Sequence, residues 1–282
     1  MRFTSYLHLL RPANLLMLAL GVGLGFWLGH APGHALTLAG LVIAAVCAAG
    51  FGNVVNDIAD IETDKISHPR RPLAAGELRA TAAAIFAAAL ACLGTAAAFL
   101  ASWQHGLGTL VPLGLLLLYA LFFKATPLVG NILISLLVGY GIVFGGLLGA
   151  GMHRLAVPAI LAFLLNASRE IVKDVQDDKG DRLAGLKTTA SLSRPVIKRI
   201  VAACGILYAV LVAVPFLLHD FGLAYALVCL VAVAPLHVYW CMLFFNPDWE
   251  RAAGRMSSFI KYEMVCGMAA LALDGFVHAV MR

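Results

Sequence analysis

Long apolar runs follow one another along almost the whole of this 282-residue chain, and they limit what it can fold into. Hydrophobic residues make up 62% of the sequence and charged residues only 12%, whereas a soluble domain carries roughly 25% charged residues. A run of about 20 apolar residues can cross a hydrocarbon core of ~30 Å. The runs lie at about 12–30, 36–55, 81–102, 106–123, 130–150, 153–169, 197–217, 222–245 and 258–280. The sequence therefore predicts one all-α, polytopic membrane domain over residues 1–282, with about nine transmembrane helices.

Basic residues indicate how these spans are oriented. With the N-terminus in the cytoplasm, all but two of the 20 Lys and Arg residues, Arg154 and Arg282, fall in the N-terminus or the even-numbered connections. Cytoplasmic segments of membrane proteins carry this excess of positive charge. The N-terminus and the two long connections, about 56–80 and 170–196, are therefore predicted to be cytoplasmic. Because topology explains the basic charge, we expect membrane lipid and no nucleic acid as a partner.

Ten of the 15 carboxylates stand in or just after two clusters that end transmembrane spans. The first cluster reads Asn53-Val-Val-Asn56-Asp57-Ile-Ala-Asp60-Ile-Glu62-Thr-Asp64. The second reads Arg169-Glu170-Ile-Val-Lys173-Asp174-Val-Gln-Asp177-Asp178-Lys-Gly180-Asp181. Carboxylates at the edge of a bilayer are costly unless they are paired or bind a cation. The two clusters therefore suggest one metal site that is shared between the halves of the chain.

The first cluster places oxygen-bearing side chains on one face of a helix. Asn56, Asp60 and Asp64 recur every four residues and form a stripe, and Asn53 and Asp57 flank it at the same spacing. This pattern predicts that several of these oxygens point in one direction.

The second cluster gives a matching stripe with spacings of four, three and four residues. Its members are Glu170, Asp174, Asp177 and Asp181, whereas Asp178 is expected to point elsewhere. Facing stripes of oxygen ligands suit Mg²⁺, which commonly takes one or two carboxylates and leaves other positions to water and phosphates. We expect Mg²⁺ ions that clamp a diphosphate. Solvated helix ends, with acids paired to nearby Lys and Arg, are the simpler alternative.

Basic residues beside the stripes can complete a diphosphate site. They are Arg11, Lys65, Arg70, Arg71, Lys124, Lys173, Lys179, Arg182 and Lys187. Any one of them can be an anchor of the cytoplasmic face. Of these, Arg71, Lys124 and Lys187 are the ones we expect to bind substrate.

The two motifs resemble those of the UbiA superfamily of intramembrane prenyltransferases. Asn56-Asp57-x-x-Asp60-x-x-x-Asp64 is similar to the family's first motif, NDxxDxxxD, and Arg71-Pro72-Leu73-x-x-Gly76 to the segment that follows it. The string Asp174-x-x-Asp177-x-x-Gly180-Asp181-x-x-x-Gly185-x-Lys187-Thr188 is similar to the second motif. The opening Leu10-Arg11-Pro12-x-Asn14 also resembles the family's first span.

This resemblance implies nine helices around a central cavity, an isoprenyl diphosphate donor, a lipophilic acceptor and Mg²⁺ as cofactor. Ionisation of the donor would give an allylic cation, which the acceptor attacks. The implied metal ligands are Asn56, Asp60, Asp64, Asp174, Asp177 and Asp181, and the implied catalytic group is Asp60, Asp64, Asp177, Asp181 and Lys124. The expected substrate-binding residues are Arg11, Asn14, Asn53, Asp57, Lys65, Arg71, Tyr119, Asn131, Tyr140, Lys173 and Lys187. Of these, Tyr119 and Tyr140, together with Phe144, are candidates for cation–π stabilisation.

Within the superfamily, two strings resemble the branch that geranylgeranylates geranylgeranylglyceryl phosphate. They are Arg169-Glu170-Ile-x-Lys173-Asp174-x-x-Asp177 and Lys124-x-x-x-Leu128-x-Gly130-Asn131. Thr188-Thr189-Ala190 departs from the usual Thr-Leu-Pro. An aromatic or tetrapyrrole acceptor stays open as an alternative, as does an ion-coupled transporter. Asp274 and His278, in the last span, have no assigned role.

Overall fold

The computed structural model describes residues 3–183 and 185–280 of the chain. Over those ranges the protein is helical and has no β-strand. The α-helices are α1 (Phe3–Leu10), α2 (Pro12–Leu28), α3 (Ala35–Ala59), α4 (Ile61–Ser67), α5 (Ala80–Ala101), α6 (Trp103–Leu118), α7 (Val129–Gly146), α8 (Ala156–Leu183), α9 (Arg194–Leu211), α10 (Val214–Leu217), α11 (Leu223–Val228), α12 (Ala234–Phe245) and α13 (Ala253–Val280). Arg282 and the side chain of His278, named above, lie outside the described part. The all-α prediction is confirmed.

In the described ranges, eight helical segments are long and apolar enough to cross a membrane, and the bent pair α1–α2 makes a ninth. The pair bends by 52° at Arg11, which has a left-handed backbone (φ 53°) ahead of Pro12. The sixth segment, Met152–Leu183, is longer than the predicted 153–169. The difference arises because the acidic stripe continues the transmembrane helix instead of starting a loop.

The helices pack as a closed ring around an internal cavity. Helices that follow one another in the chain lie side by side, and α13 completes the ring by packing against α8 and α2. The cavity of about 280 Å³ has a mainly apolar wall, to which α2, α3, α7, α8 and α13 all contribute. The predicted central cavity is therefore present.

Glycines allow α2 and α7 to touch at the backbone. A methyl group added at Gly25 would lie 1.9 Å from the carbonyl oxygen of Ile142, and one added at Gly145 would lie 2.0 Å from that of Val22. Small residues at such crossings let membrane helices approach closely. This contact holds α7 against α2, which in turn packs against α3, the helix that carries the start of the first motif.

Two buried carboxylates far from the motifs are satisfied by protein groups. Asp274 accepts hydrogen bonds from the backbone N–H groups of Gly222 and Tyr225, at 3.0 and 3.1 Å, and so caps the start of α11. Glu263 is 0% exposed; it accepts a hydrogen bond from Trp240 Nε1 at 2.6 Å and contacts His237 Nδ1 at 2.8 Å. Asp274 therefore has a structural role in joining α13 to the eighth span.

Candidate active site

The first motif lies where α3 gives way to α4. Asp60 separates the two helices with a non-helical backbone (φ −94°, ψ 5°). The backbone hydrogen bonds nevertheless continue through the break, from Asp60 N–H to Asn56 C=O at 3.0 Å and from Asp64 N–H to Asp60 C=O at 2.7 Å. The predicted stripe is therefore kept, although its helix is not continuous.

Arginines neutralise two of the buried carboxylates of this motif. Arg11 donates to Asp57 at 2.5 Å, a contact that the bend between α1 and α2 makes possible. Arg71 donates to both oxygens of Asp64, at 2.9 and 2.7 Å, and also reaches Asp57 at 3.5 Å. Burial raises the pKa of the Asp64 carboxyl, and the guanidinium of Arg71 opposes that rise. Two predicted substrate-binding residues thus hold the acids of the first motif in place.

Lys124 forms an ion pair with Asp60 across the helix bundle. It directly follows a π-helical turn, Tyr119–Phe123, at the end of α6, and its N–H bonds back to the Tyr119 carbonyl at 2.9 Å. Such turns are frequent at functional sites because they change the direction of a side chain. Asp60 also accepts a hydrogen bond from Asn56 Nδ2 at 2.8 Å. The predicted catalytic lysine and aspartate are therefore in direct contact.

The second motif forms a continuous stripe on α8. Asp174 accepts hydrogen bonds from Asn131 Nδ2 at 3.0 Å and from the Thr189 N–H at 3.2 Å. The Thr189 hydroxyl in turn contacts Asn131 Oδ1 and accepts from the Leu128 N–H at 2.9 Å. Asp174 is thus positioned by α7 and by the segment after α8.

The two motifs meet because α4 packs against α8. A methyl group added at Gly180 would lie 2.2 Å from the Ser67 hydroxyl oxygen and 2.9 Å from Ser67 Cβ. Asp181 lies close enough to Asp60 and Lys124 to interact with them electrostatically. The structure therefore brings both acidic clusters to the same end of the bundle.

Tyr119 lies between the two motifs. Its phenol is within electrostatic range of Asp60, Asp174 and Glu170. Its ring packs over Gly130, where an added methyl group would come within 3.1 Å of it. The contact between this ring and a substrate stays a prediction.

Asp177 and its neighbour Asp178 have different surroundings. Asp178 receives hydrogen bonds from Arg182 at 2.7 Å and Arg194 at 3.0 Å, and it points away from the stripe as predicted. Asp177 has no hydrogen bond or ion pair to any residue that the structure describes, and it lies near enough to Asp181 for the two carboxylates to repel each other. Asp177 is therefore free to bind a ligand.

The donor atoms of both motifs fit a hard cation. Within residues 3–183 and 185–280, no three acidic, His or Cys side chains already converge on one point. Every predicted metal ligand nevertheless offers oxygen, which Mg²⁺ prefers. The Asn56 amide nitrogen donates to Asp60, and its Oδ1 is buried without a hydrogen-bond partner. An unsatisfied buried oxygen of this kind is a natural cation ligand.

The internal cavity opens directly beneath the motifs. Asn53 and Glu170, which line it, precede the motif residues Asn56 and Asp174 by about one helical turn. Asn14 and Tyr140, both predicted to bind substrate, also line this cavity. The cavity therefore extends from the carboxylate stripes into the apolar interior of the bundle.

Several predicted residues are held by contacts within the protein. Asn53 Nδ2 donates to the Leu10 carbonyl at 2.9 Å, and the Tyr140 hydroxyl donates to the Gly108 carbonyl at 2.9 Å. Phe144 packs against the Tyr140 ring, with 5.9 Å between the ring centroids. Asn53 and Tyr140 thus combine a structural contact with a place in the cavity wall.

The remaining predicted lysines lie nearer the surface. Lys65 pairs with Glu62 at 2.6 Å on an exposed side of α4, and Lys173 contacts Glu170 at 3.4 Å. Lys187 is exposed and has no ion-pair partner in the described part of the chain. The structure does not bring Lys65 or Lys187 into contact with the motif carboxylates.

Sequence reasoning missed three polar residues at the site. Thr189 was noted only as a departure from a familiar string, although it holds Asp174. Arg169 and Lys261 counted only toward the cytoplasmic excess of basic residues and received no role at the site, yet both line the cavity, as Glu170 does. No local signal separates these two from other basic residues, because α8 and α13 are brought together only by folding.

Comparisons with known proteins agree on one family. Residues 15–262 match the family model described as the UbiA prenyltransferase family. A digeranylgeranylglyceryl phosphate synthase from Methanopyrus kandleri is 34% identical over 267 residues, which cover 94% of this chain and 97% of the relative. A solved structure described as digeranylgeranylglyceryl phosphate synthase in membranes has a TM-score of 0.79 and 26% identity, covering 96% of this chain and 98% of that one. A UbiA homolog from Archaeoglobus fulgidus, bound to DMAPP and Mg²⁺, shares the fold with a TM-score of 0.65 and 21% identity, covering 93% of this chain and 99% of that one.

The contact between α4 and α8 can be tested with a valine at Gly180. We expect Gly180→Val to lower the thermal midpoint of the detergent-solubilised protein by several degrees, because overpacking a close contact costs about 1–3 kcal/mol. Gly114→Val is the matched control, since a methyl group there meets no atom within 4 Å. Equal midpoints for the two variants would show that α4 and α8 are not in close contact.

Proposed function

This chain belongs to the UbiA prenyltransferase family and is a prenyltransferase, and from that premise we propose its substrates and its metal. The donor is geranylgeranyl diphosphate, the acceptor is the hydroxyl of geranylgeranylglyceryl phosphate, and the reaction depends on Mg²⁺. The observation that carries the proposal is the meeting of two carboxylate stripes above an apolar cavity. An enzyme family also sets aside the transporter alternative.

The proposed metal ligands are the oxygen-bearing residues of both stripes: Asn56, Asp60, Asp64, Asp174, Asp177 and Asp181. When bound there, Mg²⁺ supplies positive charge that stabilises the diphosphate leaving group. Support comes from the unpartnered Asn56 oxygen and from the free carboxylate of Asp177. The Archaeoglobus fulgidus relative bound to DMAPP and Mg²⁺ has the same fold.

Basic side chains of the chain complete the proposed diphosphate site. Three cations already form ion pairs with carboxylates of the first motif: Lys124, Arg71 and Arg11. A diphosphate that binds there can therefore contact all three. Arginine is well suited to this task because its planar fork matches phosphate oxygens. These residues stabilise charge on the diphosphate as the bond between its oxygen and the C1 carbon of the prenyl chain breaks.

The cavity holds the prenyl chain and protects the reactive carbon. Its mainly apolar wall accommodates an isoprenoid tail and excludes water that would otherwise capture the allylic cation. Tyr119 lies beside the motif carboxylates and Tyr140 in the cavity wall, where aromatic rings can stabilise a cation. The acceptor oxygen then forms the new ether bond to C1, and its proton passes to the departing diphosphate, which is the second product.

We place the motif end of the bundle in the cytoplasm. The support is the concentration of Lys and Arg in the connections at this end. Soluble diphosphates and phosphorylated acceptors would then reach the site from the cytoplasm or the inner leaflet.

A product assay tests the proposed substrates. Purified protein in detergent receives Mg²⁺, geranylgeranyl diphosphate and, in separate reactions, geranylgeranylglyceryl phosphate, 4-hydroxybenzoate or homogentisate. We expect an ether product only with the glyceryl phosphate and none in EDTA. If product forms only with an aromatic acid, the proposed acceptor is wrong, whereas the proposed metal site still stands.

Adjacent aspartates give a matched pair of variants for the metal site. We expect Asp177→Asn to lower turnover at least ~100-fold with an unchanged thermal midpoint, since it removes a proposed ligand and no protein contact. Asp178→Asn should keep most of the turnover and lower the midpoint, because Asp178 binds Arg182 and Arg194. Near-normal turnover of Asp177→Asn at saturating Mg²⁺ would contradict the proposed ligand set. Asp60 is a less clean test, because its removal leaves Lys124 without its partner.

A further inference from the structure

We propose that Arg169 and Lys261 form a separate subsite that binds the phosphate monoester of the acceptor lipid. The inference rests on the proposed function, which requires a phosphorylated acceptor as well as a diphosphate donor. The acceptor phosphate is thereby given its own place, apart from the residues that hold the diphosphate of the donor.

Arg169 on α8 and Lys261 on α13 face the same cavity. Both residues line its polar mouth, together with Asn14 and Glu170. They lie close enough together for their charges to repel. Two cations on different helices have thus been placed side by side at the entrance of an apolar chamber, an arrangement that an anion stabilises.

The positive charge at this mouth is only partly compensated. Among the residues that the structure describes, Glu170 is the one carboxylate that pairs with a cation here: Arg169 reaches it at 2.5 Å and Lys173 at 3.4 Å. Lys261 Nζ contacts the neutral Asn14 Oδ1 at 2.9 Å, and the described residues offer it no acid. Three cations therefore share one carboxylate, which leaves room for a dianionic phosphate.

Arg169 also has an unused donor. Its side chain is 16% exposed, and its Nε is buried without a hydrogen-bond partner. A buried guanidinium N–H normally has an acceptor. A phosphate oxygen at the cavity mouth would satisfy this donor and add a charge-assisted hydrogen bond.

The subsite is distinct from the proposed diphosphate site. Arg11, Arg71 and Lys124 each contact a carboxylate of the first motif, whereas Arg169 and Lys261 contact none of them. Arg169 precedes Asp174 by more than one helical turn, on the cavity side of the stripes. A phosphate held here leaves the lipid tail in the apolar chamber and the glyceryl hydroxyl near the donor.

The same chemistry would suit the phosphate headgroup of an ordinary bilayer lipid. The acceptor is favoured because both cations line the cavity and are only partly exposed. The experiment below includes a bilayer lipid so that the two sources are separated.

Binding without metal tests the subsite independently of turnover. Isothermal titration in EDTA compares geranylgeranylglyceryl phosphate with geranylgeranylglycerol, which lacks the phosphate. We expect the wild type to prefer the phosphorylated lipid by at least about tenfold, the typical effect of one charge-assisted hydrogen bond. The double variant Arg169→Gln/Lys261→Gln should lose this preference while binding geranylgeranylglycerol as the wild type does.

Two further sets of variants keep the test specific. Arg255→Gln removes an exposed cation from the same helix as Lys261 and should keep the full preference. Arg169→Lys and Lys261→Arg retain the charge, so these variants should keep a measurable part of the preference for the phosphorylated lipid. If these conservative variants lose as much preference as the Gln variants, a subsite built on charge is contradicted, and the same holds if the double variant binds both lipids as the wild type does.

Failure of the subsite can be told from failure of the proposed function. If the wild type makes the ether product and the double variant keeps its preference for the phosphorylated lipid, the subsite alone is overturned. If the wild type makes no ether product but the double variant loses the phosphate preference, the subsite stands and the proposed reaction is overturned. Phosphatidic acid serves as the bilayer lipid in the same titration. If it binds the wild type as tightly as geranylgeranylglyceryl phosphate does, the site belongs to a bilayer lipid and the inference is overturned.

Discussion

Ion pairs between buried acids and cations from distant segments are the contacts on which this site depends. Asp57, Asp60 and Asp64 are 3 to 5% exposed, and unpaired carboxylates so deep would be strongly unfavourable. Arg11 reaches Asp57 only because the chain bends at a left-handed residue, which costs roughly 1–2 kcal/mol. Lys124 reaches Asp60 from the end of a π-helical turn. Two local irregularities of the backbone thus accompany the pairing of charge at the first motif.

The same arrangement separates two chemical environments within a few helical turns. Above lie carboxylates and cations that suit a metal ion and a diphosphate; below lies an apolar chamber that suits an isoprenoid tail. The close contact of Gly180 with Ser67 joins the two halves, and Asn131 and Thr189 fix Asp174 on the far side. A prenyltransferase needs both environments in contact. The diphosphate leaves into the charged environment, while the C1 carbon of the prenyl chain reacts at the edge of the apolar chamber.

Apolar runs were enough to predict the spans, and spacing along each helix was enough to predict the two stripes. Their shared end followed from the number of spans between them and from the bias of Lys and Arg. The sequence could not predict the left-handed Arg11, because a residue before proline usually favours an extended backbone. Nor could it predict that Thr189 holds Asp174, because the spacing does not show that the segment after α8 folds back onto that helix. It also could not predict that Arg169 lies near Lys261, because α8 and α13 are far apart in the chain. Asp274 looked anomalous in an apolar span until the fold showed the N–H groups that it caps. Lys65, by contrast, directly follows the first stripe but pairs with Glu62 on an exposed face.

The central claim is that both halves of the chain contribute to one metal site. Its most direct test is a titration with Mn²⁺, followed by electron paramagnetic resonance, in the presence and absence of diphosphate. The account predicts diphosphate-dependent Mn²⁺ binding that is lost in Asp60→Asn, in Asp177→Asn and to the same extent in the double variant. Binding that survives either single substitution, or losses that add in the double variant, would mean that the halves bind metal independently and would contradict the account.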